Sequence, residues 1–501
     1  MKTAREDEAI GSHHATPYMI GLDLGTTNCK AVALSPQGQV LATTSSGHAM
    51  RSPRPGWAEQ DPVEVWQSAR DALRALAGRV PPGQAAGISL SGAMHNLLLV
   101  DAAGEALSPV ATWADQRAAW EAQDLRTQVD AAALYRRTGC PLAGTYLPAR
   151  LRWWLNESPG LFERARYFVG IKEWVLYQLS GVWATDIGLA STTGLLDIHS
   201  RRWDAEALQL AGISAERLPP LLSPDVVAGG LSASAGSGFP AGIPVIAGTH
   251  DGGLANLGSG ATQPGQVAIT VGTSGAVRRI VTQPWLDAQE RTWCYVLDEN
   301  RWLAGGAINN GGLAVEWARE KFYPDLQAAP GFTRLFADAS LSAPGAGGVT
   351  LLPYFTGERS PYNNPQARAV LTGLRLEHGR EQIARAVLEG VAFCLADVWQ
   401  ALDDGRRMGG PARLTGGITR SPVWMQIVAD VLGLPLSPLE AADASVVGAA
   451  LIGLQAVGLI ASLDSVAGHL KPAPTLYPDP GRQAAYRQLH AGFQELYRKL
   501  F

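Results

Sequence analysis

Two short segments, one in each half of the chain, share a pattern of strand, Gly-Thr turn and strand. The first is Ile20-Gly-Leu-Asp-Leu-Gly-Thr-Thr27, followed by an apolar run over residues 30–34, and the second is Val267-Ala-Ile-Thr-Val-Gly-Thr-Ser-Gly275. Glycine allows a ligand to approach the backbone closely, and the neighbouring hydroxyls donate hydrogen bonds, which suits a chain of phosphates. One such turn is a weak signal. Two of them predict a duplicated domain that closes on one nucleotide from both sides.

Bulk properties limit the classes of protein that fit. A chain of 501 residues is long enough for two or three domains with sizeable cores. Its net charge of −4 argues against nucleic acid or an anionic membrane as a partner, and no apolar stretch has the length of a transmembrane helix. The four cysteines form no metal-binding pattern, which favours free thiols in a reducing cytoplasm. We therefore expect a cytoplasmic protein, and the sequence leaves a homodimer open.

The order of predicted elements repeats between the halves. Strands are predicted at residues 18–24, 30–34, 39–44 and 86–91, with a helix over 61–77. The second half has strands at 267–271, 276–281, 293–297 and 301–303, then a helix from about residue 312. Strands that alternate with amphipathic helices, such as residues 380–402, predict an α/β fold. We expect a disordered extension over 1–17, an N-terminal domain over 18–248 and a C-terminal domain over 249–501.

Asp23 ends the first apolar strand, directly before the first Gly-Thr turn. A carboxylate there can hold the water shell of Mg²⁺, which prefers oxygen ligands, and Lys30 can reach a phosphate as a point charge. An Asx turn in a hairpin would explain Asp23 as well if this turn stood alone. The second Gly-Thr turn favours the metal role.

Asp251 follows the apolar strand 243–247 and precedes a run of small residues. Aspartate is a good helix N-cap, and a carboxylate at this junction is also placed to act as a general base in phosphoryl transfer. The sequence allows both roles.

Two further segments place polar groups where strands end. The segment 414–422 predicts a strand, a Gly-Gly turn and a helix with Ser421 as N-cap and Pro422 at its first position. An ordinary strand–helix turn is as good an explanation for that segment taken alone. The segments 91–96 and 112–117 carry an aromatic wall, a carboxylate and a guanidinium, a set that suits a polyhydroxylated ligand bearing a carboxylate. These residues are Met94, His95, Trp113, Asp115 and Arg117.

The chain resembles the FGGY family of carbohydrate kinases from Tyr18 to about Leu470. The most specific stretch is Ala369-Val-Leu-Thr-Gly-Leu374, then seven residues, then Gln382-Ile-Ala-Arg-Ala-Val-Leu-Glu389, which matches the C-terminal signature of the family. An upstream signature is met loosely, because Arg150 stands where lysine is usual, although the charge is kept. The resemblance implies an α/β protein with two RNase H-like domains of the actin, Hsp70 and hexokinase type and a cleft between them for ATP and sugar.

The resemblance also implies roles for individual residues. It makes Asp23 the residue that serves Mg²⁺ and Asp251 the catalytic base. The implied phosphate-binding residues are Thr26, Thr27, Lys30, Gly272, Thr273 and Ser274. The implied residues around adenosine are Gly312, Glu316, Gly417 and Ser421.

Within the family, several segments resemble gluconokinases. They are Met94-His95, Trp113-Ala-Asp-Gln-Arg117 and Ile171-Lys172-Glu173. This resemblance predicts ATP-dependent phosphorylation of D-gluconate at O6, with Asp251 beside the sugar. Arg117, Lys172 and His95 are the expected partners of the gluconate carboxylate.

Two alternatives remain at this point. The segment 352–365 looks as much like a xylulokinase, so D-xylulose, or another sugar or sugar acid, stays open as the substrate. An ATPase of the actin or Hsp70 kind, acting on proteins, is the alternative outside sugar kinases. The sugar-side residues and the C-terminal signature argue against it.

Overall fold

The computed structural model describes residues 16–403, 405, 408–439, 444–467 and 473–501. All but the last two residues of the predicted disordered extension, 1–17, lie outside the described residues.

A six-stranded mixed sheet organises the first half of the chain. Its strands are β1 (Tyr18–Leu24), β2 (Asn28–Leu34), β3 (Val40–Gly47), β4 (Ala85–Gly92), β5 (Val227–Gly230) and β6 (Pro244–His250). They lie in the sheet in the order β5-β6-β4-β1-β2-β3. The central strand β1 pairs antiparallel with β2 and parallel with β4. Strand β1 is apolar along nearly its whole length because it is covered on both faces. A strand with one face in water would instead alternate apolar and polar residues.

A second six-stranded sheet repeats this arrangement. Its strands are β7 (Val267–Val271), β8 (Gly275–Val281), β9 (Trp293–Val296), β10 (Trp302–Ile308), β11 (Ala412–Thr415) and β12 (Leu436–Pro438). They lie in the sheet in the order β9-β10-β8-β7-β11-β12. Its central strand β7 again pairs antiparallel with the next strand, β8, and parallel with a later one, β11. The prediction of a duplicated α/β fold is confirmed.

Helices and short strand pairs surround the two sheets. The helices are α1 (Pro62–Ala77), α2 (Ala119–Gln128), α3 (Ala131–Thr138), α4 (Leu147–Glu157), α5 (Pro159–Arg164), α6 (Ile171–Ser180), α7 (Ile187–Ser191), α8 (Ala205–Ala211), α9 (Asp251–Gly258), α10 (Gly312–Phe322), α11 (Ala328–Leu341), α12 (Arg380–Leu402), α13 (Pro422–Leu432), α14 (Ala444–Ala456), α15 (Asp464–Ala467) and α16 (Pro480–Leu500). The short strands are Met50–Arg51, Glu59–Gln60, Leu98–Val100, Val110–Ala111, Tyr167–Val169, Thr185–Asp186, Leu196–Asp197, Arg202–Trp203, Leu221–Leu222, Thr350–Leu352 and Val370–Thr372. Among the described residues, no helix is both long and apolar enough to cross a membrane.

Helix α14 lies late in the sequence but packs on the first sheet, against β1 and against α9. The contacts are close enough to require glycine. A Cβ on Gly21 of β1 would lie 2.1 Å from the carbonyl oxygen of Val446, and one on Gly258 would lie 1.9 Å from that of Ala444. The two halves of the chain are therefore joined through α9 and α14 as well as by the chain itself.

Candidate active site

Asp23 lies at the end of β1, where three elements meet. The Ser91 hydroxyl, at the end of β4, donates to one carboxylate oxygen, and the Ser445 hydroxyl of α14 donates to the other at 3.0 Å. The register of the hairpin places Lys30 of β2 opposite Asp23. The half-buried carboxylate is thus fixed in direction at the start of the first Gly-Thr turn.

Asp251 is the first residue of α9, directly after β6. The N-cap of this helix is His250, whose Nδ1 accepts a hydrogen bond from the Gly253 N–H at 3.0 Å. The predicted N-cap role of Asp251 is therefore wrong, because the residue with the extended backbone required of a cap lies one position earlier. The Asp251 carboxylate accepts instead from the adjacent Gly252 N–H at 2.7 Å.

The surroundings of Asp251 give its carboxyl group an unusual acidity. Burial, and next the nearby charge of Asp23, raise its pKa to about 7, against the opposing effect of Arg278. A general base works best when its pKa lies near the operating pH. The geometry and the acidity thus agree with the predicted role of Asp251.

The second Gly-Thr turn is held against the start of α10. The Gly312 N–H donates to the Gly272 carbonyl at 2.6 Å, and the Gly311 N–H donates to the Thr273 carbonyl at 3.0 Å. Gly416, at the Gly-Gly turn after β11, has a φ of +95°. A Cβ there would lie 2.4 Å from the Val271 carbonyl oxygen, so only glycine fits.

The predicted nucleotide residues lie around these turns with different degrees of exposure. The side chains of Thr27, Thr273 and Glu316 are exposed. Ser421 caps α13, as predicted, by accepting from the Trp424 N–H at 3.3 Å, and Gly433 ends that helix. Contacts of Thr26, Lys30, Ser274, Gly417 and the other predicted residues with ATP stay predictions.

A cavity of about 430 Å³ lies between residues from both halves of the chain. His95, Trp113 and Asp115 line it from the first half, and Ser274 and Arg359 line it from the second. The cavity therefore brings three of the predicted sugar residues, His95, Trp113 and Asp115, to the second Gly-Thr turn. Trp113 also reaches the first turn, since its Nε1–H donates to the Thr26 hydroxyl at 3.1 Å.

His95 and Met94 connect this cavity to Asp251. The Nε2 of His95 lies 2.9 Å from the Tyr295 hydroxyl, which is 2.9 Å from that of Tyr146. Burial lowers the pKa of His95 well below its usual value, which favours the neutral imidazole. Met94 packs at the start of α9, because a Cβ on Gly252 would lie 2.9 Å from Met94 Cε.

Arg117 and Lys172 are engaged in buried ion pairs. Arg117 pairs with Asp115 at 2.7 Å and with Glu59 at 2.6 Å. The Lys172 ammonium, 1% exposed, lies 2.7 Å from Asp186 and donates to the Ala247 carbonyl at 2.7 Å. These partners speak against the predicted contact of either cation with a substrate carboxylate. The sequence shows the charge of each side chain but not its partner.

Two other arginines lie near the predicted sugar and base residues. The guanidinium of Arg359 lies 5.0 Å from the centre of the Trp113 ring. Arg278 of β8 lies beside Asp251, since its Nε is 3.5 Å from a Cβ placed on the adjacent Gly252. Neither was identified from the sequence. The position of Arg278, just after the second Gly-Thr turn on β8, was the available signal.

Arg150, which stands where the family usually has lysine, holds the sugar-side loops together from α4. Its guanidinium is buried and donates to backbone carbonyls at 2.6–3.4 Å. The acceptors are His95, Ala111, Thr112, Asp115 and Gly144.

Comparisons with known proteins identify the family of this chain. The models of the FGGY family of carbohydrate kinases match residues 18–258 with the N-terminal domain and residues 267–457 with the C-terminal domain. The chain belongs to the FGGY family of carbohydrate kinases. It is therefore a sugar kinase, with ATP as the phosphate donor that the family implies, and the alternative of a protein-directed ATPase is wrong. The exact domain boundary, predicted at 248/249, stays a prediction.

The relatives that match this chain are named as kinases of more than one sugar. The chain is 35% identical to a gluconokinase of Bacillus licheniformis, over 97% of this chain and 96% of that protein. It is 30% identical to a xylulose kinase of Escherichia coli (strain K12), over 96% of this chain and 99% of that one. Its structure is similar to that of a gluconate kinase from Lactobacillus acidophilus, with a TM-score of 0.92, 30% identity and coverage of 97% and 98%.

Proposed function

We propose that this kinase phosphorylates D-gluconate at O6 to give 6-phospho-D-gluconate. The observation that carries the proposal is a pair of arginines: Arg278, which is buried beside the predicted base, and Arg359, which is half-buried and lines the cavity. Within the part of the chain that the structure describes, the Nε atom of each is buried and has no hydrogen-bond partner. A buried donor without a partner favours a ligand that brings an acceptor, such as a carboxylate oxygen, because an unsatisfied buried donor is costly.

The charges around Arg359 support an acidic substrate. The neighbouring acid, Glu358, is buried, and burial raises the pKa of Glu358 to about 8. Near neutral pH this carboxyl is mostly protonated and does not neutralise Arg359. A substrate carboxylate can do so, whereas D-xylulose would leave the guanidinium unpaired.

The reaction uses the residues of the cleft in sequence. Asp251 accepts the proton of the attacking C6 hydroxyl. The two Gly-Thr turns hold the phosphates in line with that hydroxyl, so most of the acceleration comes from positioning and electrostatics. Closure of the two halves excludes water and prevents hydrolysis of ATP without transfer.

The cleft also fits a magnesium ion held jointly by protein and nucleotide. Among the described residues there is no group of three or more His, Cys, Asp or Glu side chains able to hold a metal. Asp23 offers an oriented carboxylate next to the first phosphate turn, and Mg²⁺ is commonly bound through one or two carboxylates and the substrate phosphates. When bound there, Mg²⁺ would neutralise charge on the phosphates.

D-Xylulose is the second candidate. It is favoured by the likeness of residues 352–365 to xylulokinases and by the xylulose kinases among the relatives. A cytoplasmic location, which the buried free cysteines support, also stays a proposal, and so does a homodimer.

The deciding experiment compares substrates by ADP release in a coupled assay. We expect kcat/KM for D-gluconate to exceed that for D-xylulose by at least about tenfold, the equivalent of one charge-assisted hydrogen bond. In Arg359→Gln that preference should shrink, while Arg375→Gln, at an arginine with a 70% exposed side chain, should keep it. A wild-type preference for D-xylulose by tenfold or more would show that the gluconate proposal is wrong.

A further inference from the structure

Residues 355–365, here called the sugar-side loop, connect the cleft to the end of the chain. The loop supplies Glu358, Arg359 and other residues to the cavity. On the cleft side it is fixed to β10 and the residues after it. The Ser360 N–H donates to the Ala307 carbonyl at 3.0 Å, and the Asn310 amide donates to the Gly357 carbonyl at 3.0 Å.

The opposite side of the loop packs on the last turn of α16. The ring of Tyr497 stacks on that of Tyr362, with centroids 3.8 Å apart and planes 18° from parallel. The Asn364 amide donates to the Tyr497 hydroxyl at 3.3 Å. Tyr497 is buried, so both contacts are shielded from water. An aromatic stack of this kind adds stabilisation beyond the area it buries.

One carboxylate ties the helix and the loop together. Asp397 of α12 accepts from the Tyr362 hydroxyl of the loop at 3.0 Å. Its other oxygen lies 2.7 Å from His490 Nε2 and accepts from the Gln494 amide at 2.7 Å, and both of these side chains belong to α16. A displacement of the helix would therefore be passed to the loop through two routes, the stack and the shared carboxylate.

We propose that Tyr497 is a positioning residue that sets the place of Glu358 and Arg359 in the sugar subsite. This inference rests on the proposed function in one respect, namely that the cavity lined by His95, Trp113 and Arg359 receives the sugar. The helix that bears Tyr497 begins beyond residue 457, where the match to the family model ends. Tyr497 touches the loop and acts on the substrate only through it.

The test separates sugar binding from ATP binding. Tyr497→Ala removes the stack and the hydroxyl, and we expect KM for the sugar to rise roughly two- to tenfold, the worth of an aromatic pair, with KM for ATP unchanged. Tyr497→Phe keeps the ring and should have a smaller effect. The matched control is Tyr486→Ala. Tyr486 is another buried tyrosine of α16, and its hydroxyl donates to Glu389 of α12 at 2.8 Å. The Tyr486→Ala variant should lose about as much thermal stability as Tyr497→Ala and keep the wild-type KM for the sugar.

The outcomes are distinct from those of the gluconate proposal. Equal changes of sugar KM in Tyr497→Ala and Tyr486→Ala, or equal changes of sugar and ATP KM in Tyr497→Ala, would overturn the positioning role. If Tyr497→Ala fails to fold, Tyr362→Leu removes the same stack from the loop and leaves α16 intact, and it must raise the sugar KM. All variants are measured with both D-gluconate and D-xylulose. A wild type that prefers xylulose would refute the substrate proposal. The effect of Tyr497→Ala on the sugar KM would then be measured with xylulose, so the two proposals fail separately.

Discussion

At the scale of single residues, two carboxyl groups, the half-buried Asp251 and the buried Glu358, have raised pKa values with opposite consequences for activity. Asp251 must be deprotonated to accept a proton, so kcat/KM should increase as the pH rises through about 7. Glu358 must be protonated to leave Arg359 available, so kcat/KM for gluconate should decrease as the pH rises through about 8. We expect a bell-shaped pH profile of kcat/KM for gluconate. Glu358→Gln should remove the alkaline limb and keep the acid limb, and an unchanged alkaline limb would contradict this account of Glu358.

The role of Asp251 as base gives a second expectation. Asp251→Asn should lower kcat by about 10²–10⁴-fold, the usual contribution of a positioned general base. ATP binding should survive, because His250, and not Asp251, caps α9. Asp325→Asn, at an exposed aspartate of the second half, is the control for a change of charge alone. Near-normal turnover of Asp251→Asn would remove Asp251 from the reaction.

Asp23 gives an expectation that does not depend on turnover. Asp23→Ala should weaken ADP binding in the presence of Mg²⁺ and change it little without the metal, because the lost carboxylate acts through the metal's water shell. Calorimetric titration with and without Mg²⁺ measures both values. Equal losses in the two conditions would show that Asp23 only supports the hairpin through Ser91 and Ser445.

At the scale of secondary-structure elements, α4 acts on the sugar side through one side chain. The Arg150 guanidinium donates to five carbonyl oxygens, a pattern that a planar fork of donors can satisfy and an ammonium cannot. We expect Arg150→Lys to reduce the free energy of unfolding by about 1–3 kcal/mol, and Arg150→Met to reduce it further, because buried carbonyls lose their partners. Urea unfolding measures both losses. Equal stability of Arg150→Lys and wild type would contradict the claim that the fork matters.

The elements themselves were predictable because local signals decide them. The bounds of β1, β7 and α12 follow from apolar runs and helical spacing, and the start of α13 follows from Ser421 and Pro422. Partners of charged side chains were not predictable, because they are set by residues far away in sequence. Arg117 pairs with Glu59, and Lys172 donates to Ala247, and neither contact leaves a local pattern. The same limit hid Arg278 and Arg359.

At the scale of the whole molecule, the two halves are held together where α9 meets α14. This seam was not visible in the sequence, because each helix reads as an ordinary apolar segment and the contact joins residues nearly 200 positions apart. The predicted cleft follows from the duplicated sheets, whereas the packing of these two helices depends on contacts between distant residues. Gly258 and Gly448 face the partner helix, and a Cβ on Gly448 would lie 2.1 Å from the Leu254 carbonyl oxygen.

Gly258→Ala tests that seam. The added Cβ would lie 1.9 Å from the Ala444 carbonyl oxygen and 2.8 Å from the Gly448 nitrogen, so the helices must separate. Overpacking of this kind costs about 1–3 kcal/mol, and thermal unfolding should show a lower Tm. The control is Gly492→Ala on the exposed face of α16, where a Cβ meets nothing within 4 Å. That change should raise stability by up to about 1 kcal/mol, because alanine favours the helix and restricts the unfolded chain. If both variants move Tm in the same direction, the close approach of α9 and α14 does not limit how the two halves pack.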